Sequence, residues 1–195
     1  MEHKPLVGLA MCGSYCTYAQ VFAAAAALRK DYRLLGIMSE TAAETDTRFG
    51  TAVTNLRRLM ELTGEPVVTT IAEAEPLGPA RPMDALLIAP CTGNTLAKLA
   101  HGVTDSSVTM AAKAHLRNGR PLVLAFSTTD GLSGSAENIG RLLNRKNVYF
   151  VPFGQDDPER KPRSLQADFS LLTETVEAAL KGEQLQPILL RGAAT

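Results

Sequence analysis

Apolar residues fall along this chain in short unbroken runs separated by segments of helical periodicity. Residues 6–11, 33–38, 84–89, 121–126 and 147–151 read as strands buried on both faces, because their apolar positions are consecutive rather than alternating. Residues 67–71 read as a weaker strand. Helices are predicted over 15–30, an alanine-rich stretch, and over 51–62, where Val53, Leu56, Leu59 and Met60 share a helical face and Thr63-Gly64 supplies a stop. Further helices are predicted over 94–101, from one of the capping residues in 104–107 to Arg117, over 138–145, and over 165–180 as a closing amphipathic helix followed by a tail from about 182 to 195. Residues 39–50 are polar and read as a loop long enough to carry function. Residues 74–82 contain Pro76, Pro79 and Pro82 and are expected to hold no regular structure. Residues 154–164 read as a charged loop.

Strands alternating with helices, each strand apolar throughout, indicate an α/β fold: a single-domain, doubly wound, Rossmann-like parallel sheet over 1–195 with helices on both faces. The strand at 6–11 and the one at 84–89 are expected to flank the switch point of that sheet, where open α/β sheets bind ligands.

Composition narrows the partners. Twenty Lys and Arg balance twenty Asp and Glu, with no long block of one sign, so a nucleic-acid partner is not expected. No stretch is long and apolar enough to span a bilayer, and the opening residues lack an apolar signal core, so a cytoplasmic protein is expected. Three cysteines, Cys12, Cys16 and Cys91, are too few for a disulfide framework and lack accompanying ligands at zinc spacing. They read as small buried thiols, and no metal site is expected.

Small polar residues concentrate where strands end. Gly13-Ser14 follows the first strand and opens a helix, a place where free backbone N–H groups attract a phosphate. The alternative is that Gly13 only turns the chain and Ser14 only caps it. Ser39 and Thr41 end the second strand, either sharing that phosphate or serving as ordinary caps. The turn Pro90-Cys91-Thr92-Gly93-Asn94-Thr95 follows the strand at 84–89, and Thr92, Asn94 and Thr95 can donate and accept around a planar polar ring. No G-x-G-x-x-G follows the first strand, so a dinucleotide bound in the usual way is not expected. His101, after the predicted helix, is a candidate acid or base near neutral pH or a capping surface histidine. His115 lies within a helical pattern and receives no role.

The pattern P-x-[ST]-x-N-[ST] after a buried strand, with Gly-Ser after strand one and Ser after strand two, resembles the flavoprotein family that includes flavin-containing cysteine decarboxylases and flavin prenyltransferases. Ordered blocks including Asp46-Thr47-Arg48-Phe49-Gly50, Ala74-Glu75-Pro76-Leu77-Gly78-Pro79 and Val151-Pro152-Phe153-Gly154-Gln155-Asp156 resemble one branch of it. Those proteins are the B subunits of a two-subunit sporulation enzyme that makes pyridine-2,6-dicarboxylate. The resemblance implies an FMN site at Gly13, Ser14, Ser39, Thr41, Pro90, Thr92, Asn94 and Thr95, with Asn94 and His101 as catalytic candidates. It also implies a partner, the enzyme's A subunit, which brings NADP, together with a small dicarboxylate substrate, a homo-oligomer such as a trimer, and a place in the mother cell of a spore former. Arg48, Lys98 and Lys113 are candidates to hold the substrate carboxylates. The family's decarboxylases carry a catalytic His after the first helix and a late Met-Asn motif, whereas here residues 131–137 read Gly-Leu-Ser-Gly-Ser-Ala-Glu and the only histidines are His3, His101 and His115. The readings left open are an FMN-dependent decarboxylase-like protein and a non-catalytic chain that binds and activates the A subunit.

Overall fold

A computed structural model describes residues 4–80 and 82–190, so the last five positions of the tail lie outside the described residues. The chain forms one α/β layer structure in the order β1 (Leu6–Met11), α1 (Tyr18–Leu28), β2 (Arg33–Met38), α2 (Glu40–Glu44), α3 (Ala52–Thr63), α4 (Ile71–Ala74), β3 (Ala85–Cys91) and α5 (Gly93–His101). It continues through α6 (Ser107–Leu116), β4 (Leu122–Thr128), α7 (Ala136–Leu143), β5 (Val148–Phe150), β6 (Phe153–Gly154), β7 (Leu165–Ala167) and α8 (Leu172–Leu180).

Five strands run parallel in the order β2-β1-β3-β4-β5. The sheet is therefore doubly wound, and its switch point lies between β1 and β3 as the strand pattern predicts. Every residue of β1 and β3 is buried, which is why neither strand shows an alternating pattern. Packing of α1 with α8 on one side, and of α6 with α4 on the other, covers the sheet's two faces. At the β4 end the core closes on Phe126, whose ring centroid lies 4.7 Å from Phe153 and 5.8 Å from Phe150. Among the described residues no helix is long and apolar enough to cross a membrane.

Four predicted elements differ from the structure. Residues 67–71 form no strand: only Val68 bridges, donating to Gly36 O and accepting from Met38 N, because the capping box of Thr70 and Glu73 turns the chain into α4. Residues 74–82 are not wholly irregular, since Glu75–Leu77 form a 3₁₀ turn whose Pro76 stands at a first-turn position that needs no N–H. The loop at 39–50 contains α2, capped by the Ser39 hydroxyl accepting from Ala42 N. The predicted helix at 165–180 is three elements: Leu165–Ala167 pairs antiparallel with both β4 and β6, Phe169–Leu171 form a 3₁₀ turn, and the α-helix begins only at Leu172. Asp168 separates the strand from the turn by accepting from Ser170 N.

The tail is held against the sheet. Gln184 spans the backbone of Phe150, accepting from its N–H at 2.8 Å and donating to its carbonyl at 2.7 Å. Phe153 then donates to Ile188 O and accepts from Leu190 N.

The loop after β2 is anchored to α6. Ser107, fully buried, donates its hydroxyl to Met38 O at 2.7 Å, while both oxygens of Glu40 accept from Ser107 N at 3.0 and 3.1 Å. Ser107→Ala removes the hydroxyl and leaves the Met38 carbonyl without that donor. A loss of about 1–2 kcal/mol is expected in urea unfolding; an unchanged midpoint would show the bond to be worth nothing.

Candidate functional site

Three chain turns meet at the carboxyl edge of β1, β2 and β3. Cys12 N donates to Pro90 O at 3.3 Å and Ser39 N donates to Met11 O at 3.0 Å, so the β1 turn is tied to its neighbours on both sides. Gly13 faces the β3 turn so closely that a Cβ there would sit 3.2 Å from Thr92 Cγ2. Ser14 holds a left-handed backbone, φ 61° and ψ 42°, which costs a non-glycine residue energy and is kept by its surroundings. Its hydroxyl donates to Ser127 O at 3.0 Å, linking the turn to the end of β4. The first bond of the following 3₁₀ turn runs from Thr17 N to Ser14 O, so the N–H groups of Tyr15 and Cys16 precede the helical ladder.

The β3 turn is organised by Thr92, the N-cap of α5. Its hydroxyl accepts from Thr95 N at 3.1 Å and lies 3.0 Å from the Thr95 hydroxyl. The Ala89–Pro90 peptide before it is cis. Gly93 follows, packed against the β4 turn: a Cβ would lie 2.6 Å from Thr128 Oγ1 and 2.7 Å from Ser135 Oγ. Those two hydroxyls both donate to Asp130 Oδ1, at 2.5 and 2.8 Å. The Thr128 bond first, and the Ser135 bond second, hold the Asp130 carboxyl below its ordinary value, so it stays ionised beside the amino end of α5.

The thiols here are not nucleophiles. Burial pushes Cys12 up to about 11, although its contact with Thr95 and the charge of Lys98 oppose the rise, and burial raises Cys91 well above the ordinary thiol range. Cys16 corrects the expectation of three buried thiols, since it is exposed on the 3₁₀ turn.

Of the predicted site residues, the structure brings together Gly13, Ser14, Ser39, Pro90, Thr92 and Thr95. Asn94 is exposed in the first turn of α5, with its side chain free of protein hydrogen bonds among the described residues. Thr41 is exposed in α2, its carbonyl accepting from Tyr15 OH at 3.4 Å. Lys98 lies along α5, close enough to influence Cys12, and pairs with Asp105 at 2.9 Å. Arg48 sits on an exposed loop tip, its guanidinium 4.8 Å from the Phe49 ring centroid. His101 closes the far end of α5, roughly 11 Å along the helix from the turn, and bonds Ala97 O through Nδ1. Lys113 stands near the end of α6, in a separate groove. Sequence reasoning does not place Ser127, Thr128, Asp130 and Ser135 in the site. Ser127 to Asp130 stands out only as a polar strand end, and nothing in the spacing of these residues ties them to Gly93.

An open, mostly parallel sheet in this order, with hydroxyl-lined turns at the switch point, is the doubly wound framework on which α/β proteins hold ligands at their strand ends. The chain belongs to the Flavoprotein family, whose model matches residues 1–156. It is 45% identical over 185 residues to the B subunit of dipicolinate synthase from Bacillus subtilis (strain 168), spanning 94% of this chain and 92% of that protein. The crystal structure of the dipicolinate synthase B subunit from Bacillus halodurans C superposes with a TM-score of 0.88 at 44% identity, covering 96% of each chain. A more distant fold relative is AnUbiX (PadA1), solved with FMN and dimethylallyl pyrophosphate, with a TM-score of 0.60 at 22% identity over 77% of this chain and 78% of that one.

Proposed function

We propose that the chain is the B subunit of a dipicolinate synthase. In this reading it works with the enzyme's nicotinamide-binding A subunit, which brings NADP, to oxidise a dihydrodipicolinate intermediate to dipicolinate during sporulation, in the mother-cell cytoplasm. The observation that carries the reading is identity at 45% sustained over nearly the whole of both chains. Homo-oligomerisation, as in a trimer or a larger assembly, belongs to the same reading.

The switch point suits a flavin mononucleotide. The left-handed Ser14 presents the leading N–H groups of the β1 turn, and Ser39, whose oxygen already accepts from Ala42 N, keeps its proton to donate to a phosphate oxygen. Asn94 and Thr95 stand at the other wall, where a ring edge needs donors and acceptors. Bound there, a flavin would supply two-electron redox capacity. The chain's own residues orient the ligand and, through buried Thr95 and the apolar strand ends, keep water from its underside. Arg48 and Lys98, both near the carboxyl edge, are the proposed carboxylate partners; Lys98 must leave Asp105 to act.

The test combines this chain and the purified nicotinamide-binding partner with dihydrodipicolinate and NADP⁺, following dipicolinate formation. Activity is expected only from the mixture, and full turnover by the partner alone overturns the proposal. A second reading, in which this chain only binds and activates its partner, is favoured by the lack of a usable base at the turn: both thiols there are held protonated and Asp130 is occupied by two hydroxyl donors. Ser14→Ala and Asn94→Ala separate the two. At least a tenfold fall in the turnover of the mixture, with binding to the partner intact, is expected of a working pocket, and unchanged turnover supports the scaffold.

A further inference from the structure

Away from the switch point, the far end of α5, the outer side of α6 and the chain after α7 enclose a groove of about 350 Å³. Its charged lining is cationic: Lys113 in α6 and Arg117 at that helix's C-cap, one turn apart, and Arg145 and Lys146 after α7. Like charges at that helical spacing repel, and two such pairs facing one space add to the cost. Among the described residues no carboxylate lines the groove. Acids on the adjoining segments are already engaged, Asp105 with Lys98 at 2.9 Å and Glu137 with Arg141 at 2.6 Å. Arg145 is held in place by donating to Leu99 O at 3.1 Å, so its guanidinium does not swing away to relieve the repulsion. Between the cations the surface is mostly apolar, with Leu99 and Leu116 in the lining beside Thr104 and Thr109, and Val103 43% exposed.

A volume within the range of small-ligand sites, cations on two walls and apolar surface between them describe a receptor for a particular shape of anion. We propose that this groove is a second ligand site, separate from the switch point, that takes a small dianion carrying two carboxylates on an apolar frame. Each carboxylate meets one cationic wall while the frame covers Val103, and binding neutralises charge that the protein leaves unpaired. The proposal does not depend on the assignment to dipicolinate synthase, because the residues involved are remote from the turn at 90–95.

Isothermal titration calorimetry of the full chain with pyridine-2,6-dicarboxylate tests it, with benzoate and inorganic phosphate as comparison anions. Binding is expected to weaken at least tenfold in Lys113→Ala/Arg117→Ala and, independently, in Lys146→Ala, and to be unchanged in Arg160→Ala, a cation 88% exposed outside the groove. Benzoate and phosphate are each expected to bind at least tenfold more weakly than the dicarboxylate. Absence of dicarboxylate binding overturns the proposal. So does binding kept at full strength in the groove variants, which would place the anion elsewhere, and so does phosphate binding as tight as the dicarboxylate. None of these outcomes bears on the two-protein turnover assay, so the two proposals fail separately.

Discussion

Gly93→Ala is expected to lower unfolding stability by about 3 kcal/mol and to disrupt the candidate site at the same time. The added methyl would fall 2.6 Å from Thr128 Oγ1, 2.7 Å from Ser135 Oγ and 3.2 Å from Asp130 Oδ1, inside the hydrogen bonds that those hydroxyls donate to the carboxylate. Overpacking costs about 1–3 kcal/mol and a displaced bond to a charged group about 1.5–3. Alanine's better helix propensity returns at most about 1 kcal/mol, so the clash wins. Urea unfolding of the variant measures the loss. A second readout is its pH dependence. In the native chain the two hydroxyls depress the Asp130 carboxyl, so their contribution is present above its ordinary value of 3.8 and is lost as pH falls through the lower folded value. The variant should lose that acid-side component. Stability equal to wild type at every pH would show that the β4 turn yields without cost and that Gly93 is not required.

The second large effect is a loss of stability in mild acid caused by His115. Its ring is 1% exposed on the inner side of α6, with Nε2 donating to Pro121 O at 2.9 Å. Burial is the main cause that lowers its pKa from 6.5 to about 4; the Pro121 bond opposes the shift, Arg120 adds to it and Asp84 opposes it. Between those values the unfolded chain takes up a proton that the folded chain refuses. Stability is therefore full above pH 6.5, falls as pH drops, and has lost roughly 3 kcal/mol by pH 4. His115→Gln keeps a donor for Pro121 but has nothing to titrate, so subtracting its profile from wild type isolates the effect. Parallel profiles from about pH 7 to 4 would refute it.

Both effects show how unevenly the sequence exposes the structure. The strands at 6–11 and 84–89 are plain, because a strand with no solvent face needs no polar residues and its composition alone marks it. The turn at 90–95 is equally plain, as hydroxyls and an amide gather there within a few residues. His115 gives no signal beyond lying in a helix, since burial of a single ring depends on what packs over it. The need for glycine at 93 arises from side chains on another strand. Periodicity misleads at 165–180, where apolar spacing runs on through a strand, a 3₁₀ turn and a helix, and the Asp168 carboxylate accepting from Ser170 N marks the break. At 67–71 a β-branched run raises the expectation of a strand, yet one residue pairs before the Thr70 cap turns the chain aside. His101 and Lys113 have the right chemistry, but chemistry carries no distance, and the fold puts them away from the turn at 90–95.

The two short segments laid against the outer strands have a further consequence. Val68 occupies the open backbone groups of Gly36 and Met38 on β2, and the Gln184 side chain does the same for Phe150 on β5. A sheet whose outermost amides and carbonyls are taken by its own chain offers little template for another molecule's strand. Growth by edge-to-edge pairing, the usual hazard of an exposed sheet rim, is blocked at these positions on both flanks. Contacts between this chain and any other protein are thereby steered towards its helices and the loops at the strand ends.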